Sequence, residues 1–490
     1  MRFVVALACL FFTANMLYVQ AQSPEDAMAT LRLEIQQLRK ELEALKAELR
    51  GATAFPSAAG ETPDSADEVA GAIIEPVSSP VTNLVDADEL STGEAVPLLR
   101  AQVAEQAQTK VESSSRLPVK IFGTLVSNTF LNTDEADWID NPSFVLRRAP
   151  GSHGSFSSTL RQSRIGLSVE GPAVGSMKAH GMVEVDFYGG LPNYQTGQVM
   201  GIPRMLYGYM RIEGARTAFE MGQDQMILAP QNPTSLASRY FPDLYRAGNL
   251  YLRVPQLRVE RVLAAGEVSE FHAEAGVLAP VMGDFCDNSF AFISPALGGE
   301  RSRLPALQGR LAWRGRPGAH KAWQVGLSAH KGRGRFRESD LEECVEYRFL
   351  LPAVKERLLA EPANSWAGAI DFNFQAKHLG LGGEWYVGRN INALGGAIGQ
   401  FAKSAGGFLE ARLRASQQLE FNSGFGIDRL IERREFPARM IANSSVFANA
   451  IYQFVPELAL SFEYRWLSTL TSQRATRRNH HFNLAFAYSF

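Results

Sequence analysis

Cysteine is almost absent. The 490 residues hold three, Cys9, Cys286 and Cys344. No Cys-x-x-Cys pair and no His/Cys spacing suited to a metal occurs, so we expect no metal site and no cofactor. Cys286 and Cys344 fall in stretches that read as long loops, where an oxidising compartment would permit a bridge between them; two free thiols are the alternative. Catalytic signatures are missing as well. There is no Gly-x-Ser-x-Gly and no His-Glu-x-x-His, and His272, His330, His480 and His481 stand apart from any legible nucleophile. These absences argue against an enzyme. Past the amino-terminal stretch no apolar run approaches the ~18 residues that a membrane-crossing helix needs. A β-barrel escapes that test, because only every second residue of its strands faces lipid.

Lysine is scarce too. Residues 117–490 contain 7 lysines against 33 arginines, which favours fixed, planar, bidentate donors over mobile point charges. The formal net charge of −2 conceals two unlike parts: residues 1–116 carry 9 Lys+Arg against 17 Asp+Glu, leaving 40 against 34 for the remainder. No nucleic-acid partner is expected from a chain so balanced.

Residues 1–21 show a secretory signal-peptide pattern: Arg2, an apolar run from Phe3 to Met16, then Val19-Gln20-Ala21 as the cleavage site. In residues 22–50, Met28, Leu31, Ile35, Leu38, Leu42, Leu45 and Leu49 recur at alternating spacings of three and four, the seam of an α-helical coiled coil. Glu34, Glu41 and Glu48 flank one side of the seam and Arg32, Arg39 and Lys46 the other. Parallel copies would pair these charges, so a homo-oligomer of two or three chains is expected. Residues 51–116, rich in Ala, Ser, Pro and acids, read as a disordered acidic linker.

From Val119 onward one pattern repeats: a segment of about ten residues with alternating polarity, then alternately a tight turn and a long loop. Sixteen such segments can be counted. Ile370, Phe372 and Phe374 alternate with Asp371, Asn373 and Gln375, and the final segment places Phe482, Leu484, Phe486, Tyr488 and Phe490 on one face. Even strand number, short turns at one end and a polar second face together predict an all-β transmembrane barrel of 16 antiparallel strands over residues 117–490. A barrel of that size encloses an aqueous lumen. The expected location is the outer membrane, in contact with its lipid, with the coiled coil in the periplasm. The closing strand should pair with Lys120–Asn128, and its aromatic end resembles those recognised by the barrel-assembly machinery.

If the apolar phase faces lipid, the opposite phase lines the pore. It includes Arg164, Arg258, Arg310, Arg412, Arg414 and Arg465, together with Glu184 and Asp186. Single charges of this kind commonly pair across neighbouring strands, as Arg414 could with Glu420. The third long loop, Pro230 to Asn249, adds Arg239 and Arg246 among Tyr240, Phe241 and Tyr245. Its apolar residues need a surface to pack on, and the inner wall offers one. Folded inward to face Arg164, Arg258 or Arg310, it would form a positive constriction that admits small anions. The fifth loop, Ser339 to Asn364, has helical spacing interrupted at Pro352. The first, Thr133 to Gly154, carries no legible role.

These features resemble the DcaP-like family of trimeric outer-membrane porins. Arg161-Gln-Ser-Arg-Ile-Gly166, Glu184-Val-Asp186-Phe187 followed by Gly189, Gly222-Gln223, and Arg253-Val-Pro255-Gln-Leu-Arg258 are similar to its strand and third-loop motifs. The resemblance implies passive uptake of small, often anionic solutes such as dicarboxylates. This chain departs from the family in its long fifth loop and in lacking an aromatic-acid pattern soon after the Gly-Gln pair, so solute identity does not carry over. Phosphate-selective porins depend on Lys-rich lumens, which this chain does not have. A structural anchor or adhesin with a plugged barrel, and more remotely an outer-membrane hydrolase, are the competing functions.

Overall fold

The computed structural model describes residues 118–189, 201–282, 296–315, 322–338, 352–431 and 440–490. The signal peptide, coiled coil and acidic linker lie outside the described residues, as do Cys286 and Cys344. The described chain forms seventeen strands in one sheet. They are β1 (Val119–Asn132), β2 (Ser155–Thr159), β3 (Arg164–Val174), β4 (Met177–Asp186), β5 (Arg204–Glu213), β6 (Thr217–Gln225), β7 (Arg253–Ala265), β8 (Ser269–Leu278) and β9 (Ala306–Gly315). They continue as β10 (Ala322–Gly334), β11 (Ala363–Gln375), β12 (Leu379–Arg389), β13 (Lys403–Arg414), β14 (Leu419–Leu430), β15 (Met440–Val455), β16 (Leu458–Thr471) and β17 (Thr476–Ser489). From β3 onward each strand pairs antiparallel with the next.

β2 and β3 both pair with β1 and are two halves of one stave, which gives a closed barrel of sixteen. Between the halves the chain turns inward, burying Arg161, Gln162 and Ser163. The ladder N–H of Val126 that loses its backbone partner there donates instead to Ser163 Oγ at 2.9 Å. Closure is made by β1 and β17. The expected strand is used, displaced along its length: Thr124–Asn132 pair with Ser489–His481, and Gly123 and Phe490 exchange both backbone hydrogen bonds at 3.0 and 3.1 Å. Strands of a closed barrel are staggered, so the lower end of β1 pairs only with β3.

The barrel is apolar outside and polar inside. Leu327, Ile370, Trp385, Phe462 and Phe486 are each 45–58% exposed, while Asp371, Glu384 and Glu463 on the other phase are fully buried. That inversion of a soluble protein needs hydrocarbon around it. Among the described residues no helix is long and apolar enough to cross a membrane. The described part of the fifth loop holds one short helix, α1 (Pro352–Ala360).

Candidate functional site

The third loop, residues 226–252 between β6 and β7, folds into the barrel. On its outgoing limb, Ile227 and Leu228 donate their N–H groups to Gln308 Oε1 at 2.8 and 2.9 Å, and Thr234 donates to Glu410 Oε1 at 2.6 Å. Farther on, Ser235 Oγ donates to Glu463 at 2.5 Å, and Asn128 Nδ2 reaches the Ala237 carbonyl at 3.1 Å. On the return limb Asn443 Nδ2 donates to the Arg246 carbonyl at 2.9 Å, and Glu384 Oε1 accepts from Asn249 and Leu250 at 3.0 Å. Only a loop inside the barrel can meet side chains from β1, β9, β12, β13, β15 and β16 together. Its apolar residues supply the adhesion: Met226, Leu228 and Leu250 pack with Tyr386, Ile391 and Leu394, and Leu244 with Phe408 and Phe447. Each buried leucine contributes roughly 1.5–3 kcal/mol.

Two more loops support the third. Residues 390–402, between β12 and β13, turn inward and put Ile391 and Leu394 into that same apolar cluster, and Tyr251 N–H donates to the Leu394 carbonyl at 2.8 Å. The first loop also acquires a role, as a clamp over the third. Asn141 Nδ2 donates to the Phe241 carbonyl at 2.8 Å, and Trp138 packs on Tyr240 with ring centres 5.6 Å apart. Asp137 lies 3.7 Å from Arg246. Burial pushes the Asp137 carboxyl up, while Arg246 and donors on Ser143 and Phe144 pull it back.

This packing divides the lumen electrostatically. On the wall from β11 to β16, Asp371, Glu384, Glu410, Asp428 and Glu463 lie behind the inward loops and are at most 2% exposed. Around the starts of β3, β5 and β7 the arginines gather instead. Arg164 pairs with Glu184 at 3.4 Å and donates to the Arg239 carbonyl. Arg204 grips Asp186 with two bonds of 2.8 and 3.0 Å and lies 4.2 Å over the Tyr240 ring. Arg253 stands 4.7 Å from the Tyr207 ring and 4.8 Å from Tyr251. Among the described residues, four arginines thus meet two carboxylates. Burial and the neighbouring Arg164 bring Arg239 down to about 10, which leaves it charged at neutral pH. Arg164 and Arg204 keep 14% and 30% of their side chains exposed, enough to meet a passing solute.

Below this patch runs a charge ladder. Arg211 holds Glu260 at 2.6 Å and Glu220 at 3.2 Å, Arg258 holds Asp224 at 3.2 Å and Glu274 at 3.6 Å, and Arg310 holds Glu274 at 3.0 Å and Asp371 at 2.8 Å. Arg310 reaches Asp371 across β10, where a side chain in place of Gly326 would collide with both. Arg258 is therefore ringed by acids.

The remaining candidates scatter. Arg412 donates to Asn373 at 2.6 Å beside Glu410, and Arg414 pairs with Glu420 at 3.6 Å near the short turn, half exposed. Arg465 is 1% exposed and bonds Asn141 at 2.8 Å and the Pro142 carbonyl at 2.7 Å. Arg246 turns toward Asp137 and the Phe144 ring, 5.3 Å away, and so clamps the loops together rather than facing Arg258. Arg204, Arg253, Tyr207 and Tyr251 complete the patch and were not legible as lumen residues. Arg204 and Arg253 open their strands, where alternation has not yet set a phase, and the pairing of β4 with β5 shifts register between Glu184 and Val185.

No protein-family model matches the chain, and no curated protein does. Three solved structures show the likeness. The outer membrane channel DcaP of Acinetobacter baumannii superposes with a TM-score of 0.56 at 15% identity, over 77% of this chain and 99% of that one. OmpF of Salmonella typhi in complex with daunomycin gives 0.48 at 11% identity, over 76% and 98%. An anion-selective porin from Comamonas acidovorans gives 0.46 at 12% identity, over 76% and 100%. The last two are too distant to bear on function. In fold, the chain is similar to the sixteen-stranded channel DcaP.

Proposed function

We propose that this protein is an outer-membrane porin, a passive water-filled channel for small hydrophilic solutes that prefers small anions such as carboxylates. One observation carries the preference: the inward loops cover the acids of the β11–β16 wall, while Arg164, Arg204, Arg239 and Arg253 gather among Tyr207, Tyr240 and Tyr251 with, among the described residues, Glu184 and Asp186 to balance them. Fixed guanidinium groups at a narrowing favour anions by field and by bidentate geometry. No covalent chemistry is involved. The working form is a homotrimer with its coiled coil in the periplasm, and the barrel-assembly machinery inserts it through the strand ending at Phe490. The likeness to DcaP supports this reading through fold alone.

The test is reversal potential in planar bilayers across graded potassium chloride. Wild type should select chloride, and Arg204→Ala with Arg253→Ala should move the reversal potential toward zero. Cation selectivity in wild type would overturn the anion preference. The packing of three loops inside the barrel favours one competitor, a plugged structural anchor. Correctly folded protein without conductance would establish that reading instead.

A further inference from the structure

A row of basic side chains stands on the outside of the barrel, away from the lumen. Lys331 on β10 pairs across the ladder with Trp366 on β11, Trp366 with Arg389 on β12, and Arg389 with Lys403 on β13. Directly paired residues share a face. That face is the outer one, because even-numbered steps along the same strands reach Leu327, Ile370, Trp385 and Leu409, each 45–58% exposed. Arg333 on β10 and Arg429 on β14 extend the row by the same phase. Lys403 Nζ lies 5.9 Å from the Trp366 ring centre. Beside the row is a hollow of about 470 Å³ lined by Lys331, Arg357, Trp366 and Arg389, among others, in which Glu361 is the one acid among the described residues.

The row has a definite height. It sits at the ends of β10 to β14 that lead into long loops, which is the outward-facing side of such a barrel. At the opposite ends of these strands the same phase carries Trp323, Phe374, Leu379, Leu413 and Phe421, with no charge. A symmetric bilayer would give no reason for that difference. The two leaflets of an outer membrane differ, and the outward leaflet is built from phosphorylated glycolipid. Cations beside a tryptophan at the boundary between acyl chains and headgroups suit a phosphate there: Lys331 and Lys403 as point charges, Arg389 as a bidentate fork.

We infer that this row is a binding site for the phosphate groups of outer-leaflet glycolipid, namely lipopolysaccharide. The inference rests on outer-membrane placement and is independent of which ions the lumen prefers.

The test titrates purified full-length protein in mild detergent with bisphosphorylated lipid A, with the same glycolipid after removal of its phosphates, and with inorganic phosphate alone. Wild type should bind the bisphosphorylated form at least tenfold tighter than the phosphate-free form, and inorganic phosphate at equal concentration should not compete. The variant combining Lys331→Gln, Arg389→Gln and Lys403→Gln should lose at least tenfold while retaining heat-modifiable migration and unchanged conductance. Equal binding of the two glycolipids by wild type overturns the proposal whether or not the variant folds. So does full affinity in a folded variant, and competition by inorganic phosphate reduces the row to a simple anion site.

Discussion

Arg465 shows how far a residue's surroundings go beyond its phase. Alternation places it inward on β16, one among many lumenal arginines. In the folded protein it is fully enclosed, bonding Asn141, Pro142 and the Asp243 backbone, with the Asp243 carboxylate 3.6 Å away. It joins the wall to the first and third loops at one point. Burial pushes the Asp243 carboxyl up and Arg465 pulls it back down. Arg465→Ala would leave that carboxylate buried without its cation, which costs about 3–5 kcal/mol. We expect a lower urea midpoint for folded protein in micelles and new protease cleavage within residues 226–252. An unchanged midpoint would mean that Arg465 has no part in holding the loops.

At the scale of the element, the third loop is where sequence reading was most informative and where it stopped. Its aromatic and apolar content called for packing on the wall, and that packing is found. The path along the wall depends on contacts that no local pattern encodes. Gly248, at φ 112°, lies against the backbone of Gly407 and Ile427, so that an added Cβ would collide with the Gly407 carbonyl. Two glycines far apart in sequence permit one close approach, and neither announces it alone. Gly248→Ala also meets the strain of a left-handed backbone. The expected result is an intact, heat-modifiable barrel with the return limb displaced, seen as altered single-channel conductance and increased current noise. Conductance identical to wild type would show that this approach does not position the loop. The arginine patch was half legible for a related reason. Arg164 and Arg239 were found from phase and loop composition, but Arg204 and Arg253 sit at strand starts, and only the folded barrel brings Arg204 over Tyr240 and Arg253 beside Tyr207 and Tyr251.

For the whole molecule, stability depends on keeping one face in hydrocarbon and the other wet. Leu327, midway along β10 and 58% exposed, faces outward, while Gln324 shares the lumenal phase opposite Arg314. Leu327→Arg should therefore cost roughly 2–4 kcal/mol of unfolding free energy in liposomes, since the charge enters the apolar band. The same change at Gln324 should cost less than about 1 kcal/mol, because water and salt screen it. Equal costs at the two positions would contradict the inside-out arrangement.

The sequence by itself determined the barrel. Period-two alternation fixes which face of every strand meets lipid, turn chemistry fixes the short connections, and the count of segments fixes the size, because each of these is local. The tertiary structure alone decided which charges remain available in the lumen. Asp371, Glu384, Glu410 and Glu463 stand on the lumenal phase of their strands, yet loops folding back from distant positions in the chain cover them. The same folding draws Arg246 to Asp137 and leaves Arg164 and Arg204 exposed to the passage. Whether a charge is used or buried is set by what packs over it, and those contacts are made between residues that the sequence holds far apart.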